Sequence, residues 1–301
     1  MFVLVITNPF FLVSGLYQKH VCGIMEHGFY KSSGGIGYMP TMLVNGIEVY
    51  YQIIGDGEPL LLIHGHGSSS RDWEYQVGYF AKDYRVITVD VRGCGRSSKP
   101  SGSYSLRLFA EDIAALLESL GTGAIHVVGI SMGGMIAFEL ALGFPQLVKS
   151  MVVVNGYPEM RVETWNERLM VWRRFLMLDL LGMRKTGELL SRILFIKPEQ
   201  ESLRKLFVQR WAENDRRAYR ESLKALINWD VEARLGEIQC PVLVVASDED
   251  YLPLEEKRAY AARIPYAKLV VIEDARHAVT VEKPDEFNKI LGEFLAEVTE
   301  H

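Results

Sequence analysis

The sequence predicts an α/β protein: a mostly parallel, doubly wound sheet with a helical segment inserted late. Three observations predict it. Six short runs are apolar almost throughout, Leu60–Ile63, Val86–Val89, Ile125–Val128, Met151–Val154, Val242–Ala246 and Leu269–Ile272. Such runs suit strands buried on both faces. Helical periodicity fills several of the gaps between them, the alternation expected of a wound sheet. Between Asn155 and Gln239 no strand is credible, only helical patterns rich in Leu, Met, Arg and Trp.

Size and charge narrow the function classes. A chain of 301 residues buries about 75% of the surface its unfolded form exposes, so neither disulfides nor metal are needed to fold it. The net charge of −5, with no basic block, argues against nucleic acid and anionic membrane as partners. Cys22, Cys94 and Cys240 are scattered, with no CxxC and no zinc spacing. A reduced, cytoplasmic setting without a disulfide framework is expected.

Residues 1–40 read differently from the rest. Met1–Leu16 is apolar but broken at Thr7-Asn8-Pro9, too short for a membrane span of about 20 residues. Val13-Ser14-Gly15 offers small residues to a signal peptidase, yet no Lys or Arg precedes Lys19. Residues 20–40 show no helical or strand period, and Ser32-Ser33-Gly34-Gly35 reads as flexible. A poorly ordered N-terminal extension is expected, with the working protein starting near Met39 or Met42.

From residue 41 the chain is orderly. Asn45-Gly46 between two apolar runs signals a hairpin. Leu106, Phe109, Ile113, Leu116, Leu117 and Leu120 recur at helical spacing, with Gly121 at the expected C-cap. Phe287, Ile290, Leu291, Phe294 and Leu295 repeat the pattern after Pro284. The expected organisation is a core of residues 41–156 and 239–301. Residues 157–238 form a helical lid over the carboxyl ends of the strands.

Gly129-Ile130-Ser131-Met132-Gly133 follows a buried run and precedes the helical pattern Met135–Ala141. That context is what a G-x-S-x-G nucleophile elbow demands. The sharp turn holds the serine in a strained backbone conformation, and close neighbouring chains leave no room for side chains at 129 and 133. A serine hydroxyl needs a base, and the base an orienting acid. Of seven histidines, His20, His27 and His301 lie near the ends, and His126 falls inside a strand as a core residue. His277 follows a strand in Asp274-Ala-Arg-His-Ala, where a base belongs. The acid is expected in Ser247-Asp248-Glu249-Asp250-Tyr251-Leu252-Pro253. Spacing alone does not choose among its three carboxylates.

Residues 42–298 resemble the α/β-hydrolase superfamily in its lid-bearing serine hydrolase branch. The resemblance rests on Leu62-Ile-His-Gly-His-Gly, Asp90-Val-Arg-Gly-Cys-Gly-Arg-Ser, Gly129-Ile-Ser-Met-Gly-Gly, Ser247-Asp-Glu-Asp with Pro253, and His277 followed by Glu282-Lys-Pro284. It implies a triad of Ser131, Asp250 and His277. In the family the acid closes a G-x-x-D turn; Ser247 stands in the Gly position, which leaves Asp248 as the second candidate. The resemblance also implies an oxyanion hole from the backbone N–H groups of His66 and Met132. It makes Asp90, Arg92, Gly93, Gly95 and Ser97 a structural turn, with Cys94 a thiol lacking a partner. No cofactor is implied. His64-Gly65-His66 would suit zinc, but Ser68, Ser69 and Ser70 follow where a carboxylate ligand is wanted.

The expected reaction is acyl transfer to water on a small or medium carboxylic ester. Serine at 131 argues against relatives that use an aspartate nucleophile. An enol-lactonase or a C–C bond hydrolase would use the same triad, and a slow-turnover ligand receptor shares the fold. Trp165, Leu169, Trp172, Phe175, Leu176 and Met183 suggest apolar lining in the lid. Arg168, Arg173, Arg174, Arg184 and Lys185 read as a solvated helix face, with reception of a carboxylate as the alternative.

Overall fold

The computed structural model describes residues 29–32, 35–38 and 41–299. The chain divides into two units, Met1–Pro40 and Thr41–His301. In the first, strands β1 (Phe29–Ser32) and β2 (Gly35–Tyr38) pair antiparallel, from Phe29 opposite Tyr38 to Ser32 opposite Gly35. This corrects the expectation that residues 20–40 hold no strand. Phe29-Tyr-Lys-Ser does not alternate, and Gly35-Ile-Gly-Tyr carries two glycines, a residue depleted in strands. The rest of the N-terminal reading lies outside the described residues.

The second unit is built on one eight-stranded sheet. Its strands are β3 (Thr41–Val44), β4 (Ile47–Ile54), β5 (Glu58–Ile63), β6 (Tyr84–Val89), β7 (Ile125–Ile130), β8 (Val148–Val154), β9 (Val242–Ser247) and β10 (Ala267–Ile272). They lie in the order β10-β9-β8-β7-β5-β6-β4-β3. Strands β5 to β10 are parallel; β4 runs antiparallel to β6, and β3 to β4. The hairpin falls at Asn45 and Gly46, both at positive φ (46° and 74°), as an Asn-Gly turn requires. All six apolar runs are strands, one to three residues longer at one or both ends than the runs themselves.

The pleat sorts the strand residues onto two faces. Leu61, Ile63, Ile87, Val127, Val153 and Val244 join one core, against α2 (Leu106–Ser119) and α3 (Met132–Gly143). Leu60, Leu62, Val86, Val128, Val152 and Val245 join the other, beneath α1 (Glu74–Phe80) and α8 (Pro284–Thr299). Ser105 caps α2 by accepting from the Leu108 N–H at 3.1 Å, and Gly121 follows its end at φ 60°.

Between β8 and β9 stand α4 (Trp165–Leu194), α5 (Glu201–Ala212) and α6 (Arg216–Leu226), with no strand. A capping box of Thr164 and Glu167 starts α4, and Gly182, at φ 74° and ψ 176°, breaks it. Leu178, Met183, Trp211, Tyr219, Leu223 and Leu226 join the first core. No helix among the described residues is long and apolar enough to cross a membrane.

Candidate active site

Parallel strands place the loops after β5, β7, β9 and β10 at one edge of the sheet. The chain order reverses between β5 and β7, the switch point where wound sheets open a crevice. Ser131 directly follows β7 there, at φ 54° and ψ −118°. Its N–H donates to Val154 O at 2.9 Å, and its carbonyl accepts from Gly134 and Met135. The two glycines answer to space. A Cβ on Gly129 would stand 2.1 Å from Gly133 O, and one on Gly133 would stand 2.1 Å from Ile63 O. The turn therefore grips two neighbouring chains, and its strain of about 1–3 kcal/mol is held by that packing.

The loop after β5 lies against the serine: a Cβ on Gly65 would be 3.5 Å from Ser131 Cβ. His64 is buried, with the Val91 N–H donating to its Nε2 at 3.0 Å and Nδ1 2.8 Å from Gly65 O. The His66 ring stacks on Tyr219 at 4.2 Å, with Nε2 3.0 Å from Ser222 Oγ. Burial, then the charge of Arg174, push its pKa down to about 3. Both ring nitrogens of His64 and the Nε2 of His66 already have partners. The Met132 N–H opens α3, where helical geometry offers it no acceptor.

Across the edge, Asp250 Oδ1 lies 2.9 Å from His277 Nδ1. Asp248 instead accepts from the Ala275 N–H at 3.2 Å, so it pins the histidine loop rather than the imidazole. The Asp250 carboxyl is fully buried, and its second oxygen receives Lys257 Nζ, also fully buried, at 2.5 Å. Burial raises its pKa, but the bond to His277 and the Lys257 charge outweigh that and hold it below the usual carboxylate range. Lys257 lies in α7 (Leu254–Ala261), and its ammonium also donates to Asn155 Oδ1 at 2.7 Å.

Asn155, buried at φ 44°, joins these parts. Its amide nitrogen donates to Ser247 Oγ at 2.8 Å and His277 O at 3.0 Å. Its carbonyl accepts from the Ser247 N–H at 2.9 Å. The Ser247 hydroxyl thus has a bonding partner in the position where the resemblance called for glycine. Glu282 steadies the same loop, accepting from the Arg276 N–H at 2.8 Å.

His277 Nε2 meets a residue that the sequence did not single out. The Tyr251 hydroxyl lies 2.9 Å away, its ring 4.4 Å from the imidazole. The Ser131 side chain lies near enough to the same hydroxyl to lower its pKa slightly against the rise that burial imposes. A tyrosine from the loop after β9 therefore occupies the imidazole nitrogen that a serine base would need. Asn155, Lys257 and Tyr251 carried no motif.

Elsewhere the expected turn is built as read. The Asp90 carboxylate accepts from the Ser70 and Arg96 N–H groups, each at 2.7 Å, and Arg92 forks onto Asp112 at 2.6 and 2.7 Å. Cys94 is buried and free, its thiol pushed up to about 12. His126 is a core residue, 2.7 Å from Ser150 Oγ. The carboxylates of Glu159, Asp230 and Glu232 converge, but Arg161 already pairs with all three. A hollow of about 510 Å³, lined by Lys149, Pro241 and Lys268 among others, opens at the amino ends of β9 and β10, away from Ser131.

The family described as the alpha/beta hydrolase fold matches residues 58–284. The chain belongs to that family. Members similar to it are hydrolases. The putative carbamate hydrolase RutD of Azorhizobium caulinodans is 30% identical over 268 residues, covering 86% of this chain and 99% of that protein. The (E)-2-((N-methylformamido)methylene)succinate hydrolase of Acinetobacter baylyi is 30% identical over 257 residues, covering 84% and 96%. Among solved structures, a thermophilic esterase from Thermogutta terrifontis, with malate bound, superposes with a TM-score of 0.77 at 26% identity, covering 86% and 97%.

Proposed function

We propose that this hydrolase cleaves a carboxylic ester of small or medium acyl chain through an acyl-enzyme on Ser131. The observation that carries the reading is the Asp250–His277 contact of 2.9 Å at the sheet edge where Ser131 is held in its strained turn. In this mechanism Ser131 Oγ attacks the carbonyl carbon while His277 Nε2 takes its proton. Asp250 fixes the tautomer, with the proton on Nδ1, and stabilises the imidazolium. His277 then protonates the leaving alkoxide, and water repeats the sequence on the acyl-enzyme. The N–H groups of His66 and Met132 receive the tetrahedral oxyanion, each worth about 3–4 kcal/mol to the transition state. Helices α4–α6 act as the lid. For the hydroxyl to meet Nε2, the Tyr251 hydroxyl moves aside.

Similarity to a putative carbamate hydrolase favours a second reading, in which the same groups attack a carbamate carbonyl. The test is turnover of 4-nitrophenyl acetate and butyrate against a simple carbamate, by wild type and Ser131→Ala. Ester turnover that falls by about 10⁴-fold or more in the variant is expected. Carbamate turnover without ester turnover would favour the second reading. Ester turnover that survives in Ser131→Ala would sink both.

A further inference from the structure

We infer that Arg174 receives a carboxylate of the substrate, so that the preferred ester carries an anionic group on its acyl chain. The inference rests on the ester reading above and deepens it.

Five cations on α4 read alike in the sequence, and the structure separates them. Arg168, Arg173, Arg184 and Lys185 are exposed, whereas Arg174 is half-buried. Its Nε and Nη2 both donate to the Tyr219 hydroxyl, at 3.1 and 2.5 Å. Its guanidinium lies 5.7 Å from the Trp211 ring centre and 5.8 Å from that of Tyr219. Among the described residues no carboxylate pairs with it, and none bonds its Nη1. A guanidinium among aromatic rings, satisfied only by a neutral hydroxyl, retains its charge and part of its fork for an arriving anion.

The surroundings put that charge beside the reacting atoms. Tyr219 stacks on His66, whose loop abuts Ser131. The Arg174 charge acts on His66 and also on Tyr251, whose hydroxyl lies 2.9 Å from His277 Nε2. Asp250 offers no competing anion, since Lys257 and His277 occupy both its oxygens. An acyl chain bound at Ser131 thus extends under one uncompensated positive charge.

The experiment compares two esters of equal acyl length, 4-nitrophenyl hydrogen succinate and 4-nitrophenyl butyrate. In wild type the kcat/KM ratio of the first to the second is expected to be about tenfold or more, as for a hydrogen bond to a charged group. In Arg174→Gln that ratio falls by at least about tenfold, with Arg174→Lys in between. A role confined to propping Tyr219 would lower both substrates together and leave the ratio fixed, which overturns the inference. A wild-type ratio at or below one does the same. Succinate titrated into wild type gives an independent reading, followed by Trp fluorescence. Saturable quenching by succinate, absent with succinamide, supports the site even if Arg174→Gln does not fold or no ester is turned over. Equal responses to the two compounds, or none, overturn it.

Discussion

Lys257 Nζ lies 2.5 Å from Asp250 Oδ2, and neither side chain has any exposed surface. The proposed acid is thus shared between an imidazole and an ammonium. The lysine cancels much of the field that the carboxylate would impose on His277. In Lys257→Met the buried carboxylate keeps the imidazole as its sole partner. Breaking one side of a buried pair also costs about 3–5 kcal/mol of stability, read by urea titration. An unchanged unfolding midpoint would show that the pair does not hold this loop to the fold.

The elbow glycines make a graded prediction. A Cβ at Gly133 meets the Ile63 carbonyl at 2.1 Å, whereas one at Gly134 meets a methyl of Val153 at 3.0 Å. A side-chain methyl can give way; a carbonyl locked in a sheet cannot. Gly133→Ala should lose about 3 kcal/mol or more and Gly134→Ala about 1 kcal/mol, measured by denaturant unfolding. Equal losses would contradict the packing described for this turn.

Tyr251 makes a kinetic prediction. Its hydroxyl occupies His277 Nε2, the atom on which the proposed mechanism depends. Tyr251→Phe removes the competitor while keeping the ring, and should raise kcat/KM for 4-nitrophenyl butyrate by about 2–10-fold, the worth of one neutral hydrogen bond. A fall of that size would make the hydroxyl a participant rather than an obstacle.

His66 ties stability to pH. Its pKa falls from 6.5 to about 3 on folding, so between those values the unfolded chain binds more protons. Its contribution is intact above pH 6.5 and is lost progressively as pH drops toward 3. At pH 5 the loss is about 2 kcal/mol. Replacing the ring in His66→Asn should flatten the change in unfolding free energy between pH 7 and pH 5 by that amount.

Much of this was legible because it is local. The six strands, the Asn45-Gly46 hairpin and the elbow each announce themselves within about ten residues. The choice of Asp250 over Asp248 was beyond spacing, since the two are separated only by how the loop turns. Lys257 and Asn155 were illegible for a different reason. They lie 102 residues apart in sequence, and a lysine inside Leu254-Glu-Glu-Lys-Arg reads as solvated surface. Arg174 shared its pattern with four exposed neighbours, and only packing against Trp211 and Tyr219 sets it apart. The strands at residues 29–38 did not register because the first lacks alternation and the second is half glycine.

Asn155 stands where the polypeptide leaves the sheet for its helical excursion, and it is fastened there to β9, to Lys257 and to the histidine loop. Tugging on that excursion is absorbed at the anchor before it can disturb how Asp250 faces His277. The exposed positions of residues 157–238 that stay out of the first core are accordingly open to redesign for other acyl groups in the proposed reaction, while the proton-handling parts keep their alignment. Reactivity and selectivity can be altered one at a time.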